Sequence, residues 1–351
     1  MNADPSVGGD YFTGLDPNAV GTHDPAFLPF AHNNTELFAE LLPDGVTMRN
    51  PRRCNAFSLV FRAVRDGGPC DVEVVTQPPA ASAHDKGMGL IMNMAKHTPL
   101  LQPWIKMRPS PYVLRLFSVS TGTLGVGLVT DTGGRASLWE YVTQRPNMDL
   151  ADLQLLAGQV ARGLGHLHRQ SPPIVHGNLS ARSVRVIDAY NCPLVKIADF
   201  GPILDVRAEL RPGQCKAYHR EAVPSRERIR WAAPELLQAM MQPAPPPAKG
   251  KAQPSVPSVA SDVWALGVTI WEAFSHGRLP YSELLNEEHV VHAVAVQGAR
   301  LQRPVRCPAS NWELVAKCFA RSPKDRPTAL AVSDIPDFKN QRSDEYEANY
   351  R

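Results

Sequence analysis

The segment Val175-His176-Gly177-Asn178-Leu179-Ser180-Ala181-Arg182-Ser183 decides how this chain is interpreted. Further along the chain come, in this order, Val195-Lys196-Ile197-Ala198-Asp199-Phe200-Gly201, Trp231-Ala232-Ala233-Pro234-Glu235, Ser261-Asp262-Val263-Trp264-Ala265-Leu266-Gly267-Val268, and the group Cys318, Pro323, Arg326 and Pro327. The first segment carries an amide at its centre. Because an amide has no useful basicity near neutral pH, Asn178 cannot act as a general base.

Together these segments resemble the motifs of a protein kinase, in the right order and at workable spacings. In this resemblance they correspond to the catalytic loop, the magnesium-binding Asp-Phe-Gly, the Ala-Pro-Glu that closes the activation segment, the central helix of the large lobe and the closing pattern. The resemblance covers roughly residues 45 to 335. It implies an α+β, bilobal fold, with a small, mainly β N-lobe (about 45–131) and a large, mainly α C-lobe (about 135–335).

Composition divides the chain around that domain. Residues 1–35 are rich in Gly, Asp, Asn and Pro without periodicity, and we interpret them as a disordered tail or linker. The kinase-like domain is predicted over 36–335, with a Pro-rich insert at 240–259 that we interpret as a surface loop. Residues 336–351 are assigned to a C-terminal tail.

The subfamily can be narrowed by resemblance. Trp271–Gly277 followed by Pro280-Tyr281, together with Leu179–Arg182, is similar to tyrosine kinases. The triplet His176-Gly177-Asn178, the run Arg226–Trp231 and Asp344–Glu347 are most similar to the pseudokinase domain of Janus kinases. That domain usually carries Pro where this chain has Phe200.

The resemblance implies that three catalytic positions are degenerate. Asn178 stands where a kinase has its catalytic Asp, and Ser183 where it has a metal-binding Asn. The phosphate-binding Lys would fall near Val75 or Thr76, but the chain has no Lys before Lys86. Its partner Glu is missing too, since no Asp or Glu occurs between Asp85 and Asp131.

The nucleotide site is also predicted to be degenerate. Arg53, Asn55 and Ser58 stand at the three positions where a kinase phosphate loop needs glycine, and Thr130-Asp131 is predicted to be the turn into the hinge between the lobes. We therefore expect that no cofactor is required and that any ATP or Mg²⁺ binding is weak. Two alternatives stay open: Arg52 and Arg53 as substitute cations, and Asp199 as a metal ligand or as a cap of local backbone amides.

The remaining motif residues are predicted to be structural: His176, Phe200, Gly201, Glu235, Asp262 and Arg326. The resemblance implies that Asp262 hydrogen-bonds the backbone of the His176 loop and that Glu235 and Arg326 form a buried ion pair. It also implies that Gly177 removes an Arg that meets a phosphate on the activation segment, whose one tyrosine is Tyr218. The candidate substitutes for that Arg are Arg182, Arg220 and Arg226.

Hydrophobic periodicity predicts the elements that carry these motifs. Strands are expected at 56–62, 71–76, 112–119 and 124–129. Apolar residues at helical spacing predict a core-facing helix containing Leu153, Leu156, Val160, Leu164 and Leu167.

Bulk properties fit a globular domain. The 351 residues can bury a large core, and the net charge of +3 favours no nucleic acid partner. Six cysteines without a Cys-x-x-Cys pair indicate reduced thiols and a cytoplasmic location. We expect no membrane span, because no apolar run approaches the length of a membrane helix.

Three functions remain open from the sequence. The first is a pseudokinase that acts through protein partners as an allosteric regulator or scaffold, with an active kinase domain in cis or in trans among its candidate partners. The second is a divergent active tyrosine kinase that transfers phosphate from ATP. The third is an ATP-binding switch without turnover.

Overall fold

The computed structural model describes residues 42, 45–54, 58–76, 101–122, 125–134, 136–189, 192–200, 226–241 and 257–339. These residues fall into two compact units. The first contains the described residues up to Met107 and then Arg115–Gly133, and the second contains Arg108–Leu114 and the described residues from Gly134 onward. The first unit is mainly β and the second mainly helical, so the predicted α+β class with two lobes is confirmed.

The first unit contains a five-stranded antiparallel sheet with the strand order β1-β2-β3-β5-β4. Its strands are β1 (Val46–Cys54), β2 (Ser58–Arg65), β3 (Gly68–Thr76), β4 (Leu116–Gly122) and β5 (Gly125–Thr130). Between β2 and β3, Asp66 and Gly67 have φ values of 50° and 81°. Two successive residues at positive φ form the tight turn that suits the twist of a hairpin, and Arg65 accordingly lies opposite Gly68.

One predicted strand is shorter than its apolar pattern suggested. The strand expected over 112–119 begins only at Leu116 and runs to Gly122, and Arg108–Leu114 belong to the second unit. There, Leu114 N donates to Ile197 O at 2.8 Å, and Ile197 N donates to Tyr112 O at 2.9 Å. Tyr112 and Val113 are buried by this contact, so their hydrophobic character reflects tertiary packing and not a longer strand.

The second unit combines a small sheet with helices. The sheet consists of β6 (Ala136–Ser137), β7 (Val184–Ala189) and β8 (Cys192–Ile197) in the order β6-β7-β8. The α-helices are α1 (Leu138–Thr143), α2 (Leu150–His168), α3 (Pro234–Met240), α4 (Val259–Phe274), α5 (Glu287–Ala295), α6 (Ala309–Val315) and α7 (Ala329–Ser333). Short 3-10 helices cover Arg226–Trp231, Ala316–Phe319, Pro323–Asp325 and Pro336–Phe338.

Helix α2 buries the predicted apolar stripe. The five residues of that stripe are all buried, namely Leu153, Leu156, Val160, Leu164 and Leu167. Gln159 on the same helix accepts from Val195 N at 2.8 Å and donates to Pro193 O at 3.2 Å. The amide therefore fixes β8, and with it the start of the Asp199 segment, against α2.

Helix α4 is buried along nearly its whole length, as the resemblance predicted for the central helix. Ser258 caps it, because its hydroxyl accepts from Ser261 N while Ser261 Oγ accepts from Ser258 N. At Gly267 a Cβ would lie 2.8 Å from Cys318 Cβ, so only glycine allows this close approach. A buried helix of this kind is a rigid base for the loops that contact it.

Several predicted segments lie outside the described residues: the 1–35 tail, residues 242–256 of the Pro-rich insert and residues 340–351. The packed part of the chain continues beyond the boundary predicted at residue 335. Phe338 is buried, and its carbonyl lies so close to Gly158 of α2 that a Cβ there would be 2.3 Å from the oxygen.

Candidate functional site

One buried carboxylate accepts hydrogen bonds from two backbone amides of the loop that contains His176. Asp262, on the first turn of α4, is 2% exposed. Its Oδ2 accepts from His176 N at 2.7 Å, and its Oδ1 accepts from Gly177 N at 2.8 Å. His168 Nε2 lies 3.1 Å from Oδ2. Because both backbone donors are satisfied by a residue of the rigid helix, the loop has a defined position.

The His176 ring is fully buried and links two parts of the site. Its Nδ1 accepts from Asn178 N at 3.1 Å, so its Nε2 carries the proton and donates to Ala198 O at 2.9 Å. Burial lowers the pKa of His176, against the opposing influence of the nearby Asp262 charge. The ring also packs edge-on against Phe200, with the ring centroids 5.1 Å apart. A neutral, fully bonded imidazole in this place is a structural link between the loop and the Asp199 segment.

Asn178 and Ser183, the two loop positions predicted to be degenerate, both make internal hydrogen bonds. Asn178 Nδ2 donates to Asp199 O at 2.8 Å. The Ser183 hydroxyl donates to Ser180 O at 3.0 Å and accepts from Ser180 N at 2.9 Å, and Ser183 is buried. Ser183 therefore closes its own loop, and Asn178 fixes the backbone at Asp199.

Asp199 forms an ion pair that was not predicted from the sequence. Its Oδ2 lies 2.6 Å from Arg185 Nη2, and the side chains are 14% and 12% exposed respectively. The local signal was available in the sequence: Arg185 interrupts the apolar strand β7 between the buried residues Val184 and Val186. A charge in such a run needs a partner, but the sequence does not name which one.

A second arginine contacts the loop at Gly177. Gly177 has a φ of +70°, a conformation that favours glycine, and Arg228 Nη1 donates to its carbonyl at 2.8 Å. Of the three predicted substitutes for the missing Arg, Arg182 lies over the Trp139 ring at 3.8 Å. Arg220 and Tyr218 lie outside the described residues, and Arg226 begins the 3-10 helix Arg226–Trp231. Arg228 is thus the cation that contacts Gly177, and it was not among the three arginines predicted from the sequence.

Arg326 binds Glu235, at the end of the activation segment, to the rest of the second unit. Its Nη1 and Nη2 donate to the two carboxylate oxygens of Glu235 at 2.7 and 2.6 Å. The same guanidinium donates to Ala260 O and Ala320 O. This two-pronged pair connects α3 to α4 and to the chain after the 3-10 helix Ala316–Phe319.

A buried glutamate joins the catalytic loop to the activation segment. Glu272 Oε2 accepts from Ala181 N at 2.9 Å and from Trp231 Nε1 at 2.8 Å. Burial raises the pKa of Glu272 to about 7, although these hydrogen bonds and the charge of Arg182 oppose the shift. Glu272 lies in the segment Trp271–Gly277 that resembles tyrosine kinases, but the sequence alone indicates no role for it.

We expect the titration of Glu272 to make stability fall as the pH rises. The unfolded glutamate ionises near its ordinary pKa of 4.5, whereas the folded one keeps its proton up to about 7. Between these values the folded state binds more protons, so this group's contribution to the unfolding free energy decreases with pH, by about 3 kcal/mol in total. Glu272→Gln keeps an oxygen acceptor without the titration. Urea unfolding at pH 5 and pH 8 should show a smaller loss for Glu272→Gln than for the wild type.

Glu313→Gln is the matched control, because Glu313 is exposed on α6. It should lose as much stability between pH 5 and pH 8 as the wild type. Equal pH dependence of Glu272→Gln and the wild type would contradict the assignment of this titration to Glu272.

In the first unit, the predicted nucleotide positions lie on or beside the β1–β2–β3 strands. Arg53 lies on β1, Ser58 lies opposite Val75 in the β2–β3 register, and Asn55 falls outside the described residues. No role in nucleotide binding is assigned to them by this placement alone.

The predicted hinge turn lies at the end of β5. Asp131 Oδ1 accepts from Thr132 N at 2.7 Å, and Thr130 Oγ1 donates to Asp71 O at 3.5 Å. Asp71, which the sequence reading missed, is buried and accepts from Gly133 N at 3.0 Å through Oδ2. Thr130, Asp131 and Asp71 are therefore brought together.

Gly201 of the Asp-Phe-Gly segment lies outside the described residues.

The β unit, the helical unit and a loop held by Asp262 together define a protein kinase domain. The profile of the family described as "Protein tyrosine and serine/threonine kinase" matches residues 94–335, more than half of the chain. The chain therefore belongs to the protein tyrosine and serine/threonine kinase family.

Individual relatives are of the tyrosine-kinase type. The chain is 30% identical over 234 residues to "Tyrosine-protein kinase Shark" of Drosophila melanogaster, covering 65% of this chain and 22% of that protein. It is 30% identical over 232 residues to "Tyrosine-protein kinase Srms" of Mus musculus, covering 66% of this chain and 41% of that protein. It is 29% identical over 224 residues to "Tyrosine-protein kinase ZAP-70" of Homo sapiens, covering 64% and 32%. The chain thus spans less than half the length of these relatives.

In the part of the chain that the structure describes, no helix is both long enough and apolar enough to cross a bilayer.

Proposed function

We propose that this chain is a catalytically impaired tyrosine-kinase-like pseudokinase that acts as an allosteric regulator or scaffold in signalling. One observation carries the proposal: at the position of the catalytic base, Asn178 presents an amide whose nitrogen donates to Asp199 O at 2.8 Å. A kinase needs a carboxylate at this place to accept the proton of the substrate hydroxyl. An amide cannot accept that proton near neutral pH.

The residues that would hold magnesium do not fit the ion. Mg²⁺ requires oxygen ligands in near-octahedral geometry. The Ser183 hydroxyl is engaged within its own loop, and the Asp199 carboxylate faces the guanidinium of Arg185 at 2.6 Å. We therefore propose that no cofactor is required.

The scaffold around the loop supports a role in protein contacts. Asp262, Glu272 and Arg326 hold the loop and the end of the activation segment through buried hydrogen bonds and an ion pair. Such an architecture can present a fixed surface to a partner without supporting chemistry. A tyrosine kinase domain in cis or in trans is the partner class we propose, since the relatives named above are tyrosine kinases longer than this chain. Closer kinship with Janus-kinase pseudokinase domains stays a prediction.

We also propose a cytoplasmic location. Three buried cysteines, Cys70, Cys307 and Cys318, are free thiols. Burial raises the pKa of Cys307 to about 11 and that of Cys318 to about 12, so both stay protonated at neutral pH. Free thiols are typical of a reducing compartment.

An active tyrosine kinase is the second candidate, and the tyrosine-kinase names of the relatives favour it. An ATP-binding switch without turnover is the third. Binding and transfer assays separate the three, because the first candidate requires neither, the second requires both and the third requires only binding.

We expect the purified chain to transfer no more radiolabelled phosphate to a tyrosine peptide than its Asp199→Ala variant does. Asn178→Asp should also stay at background. It supplies a base, but the sequence still has no Lys before Lys86 and no acid between Asp85 and Asp131. When several catalytic residues act together, restoring one of them does not restore activity.

An active tyrosine kinase assayed in parallel serves as the positive control. Incorporation by the wild type that Asp199→Ala abolishes would establish the second candidate. A melting temperature that rises saturably with micromolar ATP and Mg²⁺, without any incorporation, would establish the third.

A further inference from the structure

The β7–β8 hairpin places a positive charge against Asp199. Arg185 lies on β7 opposite Lys196 of β8, and Asp199 is the second residue after β8 ends at Ile197. The hairpin therefore brings position 185 next to the first residues of the activation segment. Arg185 Nη2 lies 2.6 Å from Asp199 Oδ2, slightly shorter than the usual distance of a charge-assisted N–H···O hydrogen bond.

The pair is largely removed from water. Its side chains are 12% and 14% exposed, and the flanking Val184 and Val186 are buried. Among the described residues, Arg185 Nε is buried without a hydrogen-bond partner. The Asp199 carboxylate balances the charge of the guanidinium. Buried charges require such a partner, since an uncompensated one is strongly unfavourable.

Asp199 is also fixed through its backbone. Its φ of 55° lies in the left-handed region, which Asp tolerates better than most residues. Asn178 Nδ2 donates to its carbonyl at 2.8 Å. Arg185 holds the carboxylate of Asp199, and Asn178 holds its carbonyl. Both partners belong to the second unit.

We infer that Arg185 is a built-in cation that takes the place of a divalent metal ion at Asp199. This inference rests on the proposed function and deepens it by naming the residue that makes the site independent of metal. The guanidinium lies 2.6 Å from one oxygen of the carboxylate, Oδ2, and its charge repels a second cation. It also fixes the start of the activation segment permanently, where a metal ion would fix it only when bound.

The inference predicts an energetic coupling that a metal site would not have. If Asp199 were a vacant metal ligand, Asp199→Asn would leave the metal-free protein as stable as before or more stable. If Asp199 is the partner of Arg185, Asp199→Asn and Arg185→Leu each lower the folding equilibrium constant by at least roughly tenfold. The double variant should then lose no more than either single variant, because the interaction is already gone.

The test is a double-mutant cycle on the full chain, measured by urea unfolding in the presence of EDTA, together with titration of Mn²⁺ followed by water-proton relaxation. Arg169→Leu is the control, because Arg169 is an exposed arginine of the same unit. We expect coupling of at least tenfold between positions 185 and 199. We also expect Mn²⁺ to bind Arg185→Leu at least roughly tenfold more tightly than the wild type or Arg169→Leu, and this gain should disappear in the double variant.

Three results would overturn the inference: additive effects in the cycle, unchanged Mn²⁺ binding in Arg185→Leu, or saturable Mn²⁺ binding by the wild type that Asp199→Asn removes. Should Arg185→Leu fail to fold, Arg185→Gln removes the charge while retaining a polar side chain. Failure of the inference about Arg185 can be distinguished from failure of the proposed function. Phosphate transfer by the wild type would refute the pseudokinase proposal, whereas an inactive chain without coupling would refute only the role of Arg185.

Discussion

Replacing Arg326 with alanine is expected to lower the free energy of unfolding by about 3–5 kcal/mol, the typical result of removing one partner of a buried ion pair. The Arg326 side chain is 1% exposed and donates to both oxygens of Glu235. Its loss leaves the carboxylate without its counter-charge, and the carbonyls of Ala260 and Ala320 without their donor. Thermal and urea unfolding measure the effect.

Two further variants sharpen this test. Arg326→Lys keeps the charge but cannot form the two-pronged contact, so its stability should lie between those of Arg326→Ala and the wild type. Lys324→Ala removes an exposed cation nearby and should leave stability within about 0.5 kcal/mol of the wild type. We also expect Arg326→Ala to weaken partner binding together with folding. An Arg326→Ala protein as stable as the wild type would contradict the buried pair.

Replacing Asp262 with alanine is expected to destabilise the chain by roughly 3–5 kcal/mol. The change leaves the backbone donors of His176 and Gly177 without their acceptor, and each stranded buried donor costs about 1–3 kcal/mol. Asp262→Asn should be milder, because its oxygen still accepts from one donor while its NH₂ group faces the other. Urea unfolding gives the stabilities, and hydrogen exchange at the His176 and Gly177 amides reports the loop directly.

The matched control for this change is Glu313→Ala, which removes an exposed acid from helix α6. It should leave both stability and hydrogen exchange in the loop unchanged. If Asp262→Ala kept the slow exchange of the His176 and Gly177 amides, the loop would be held by something other than this carboxylate.

Much of the fold was predictable because its signals are local or belong to a fixed order of motifs. The apolar stripe of α2 alone identifies a core-facing helix, and the order of the segments from His176 to Arg326 indicates the kinase domain. Apolar character alone does not name a packing partner, however. The strand predicted over 112–119 begins only at Leu116, because Tyr112 and Leu114 bond to Ile197 instead.

The candidate site was predictable at the positions that define the motifs, and less so at their partners. Asn178 and Ser183 stand out in the sequence because the kinase motif specifies other residues at their positions. Arg185, Arg228 and Glu272 could not be assigned roles, since each acts on a group that is distant in sequence or on another element. Arg185 meets Asp199 only after the β7–β8 hairpin forms, and Glu272 meets Ala181 across 91 positions of sequence.

The pair of Arg185 and Asp199 also constrains how this sequence can change over generations. A substitution at either position alone strands a buried charge and lowers stability, whereas a joint substitution to uncharged residues strands no charge. The two positions are therefore expected to vary together among descendants of this chain. A change of Arg185 alone, which would free the carboxylate at position 199, is expected to produce a less stable protein.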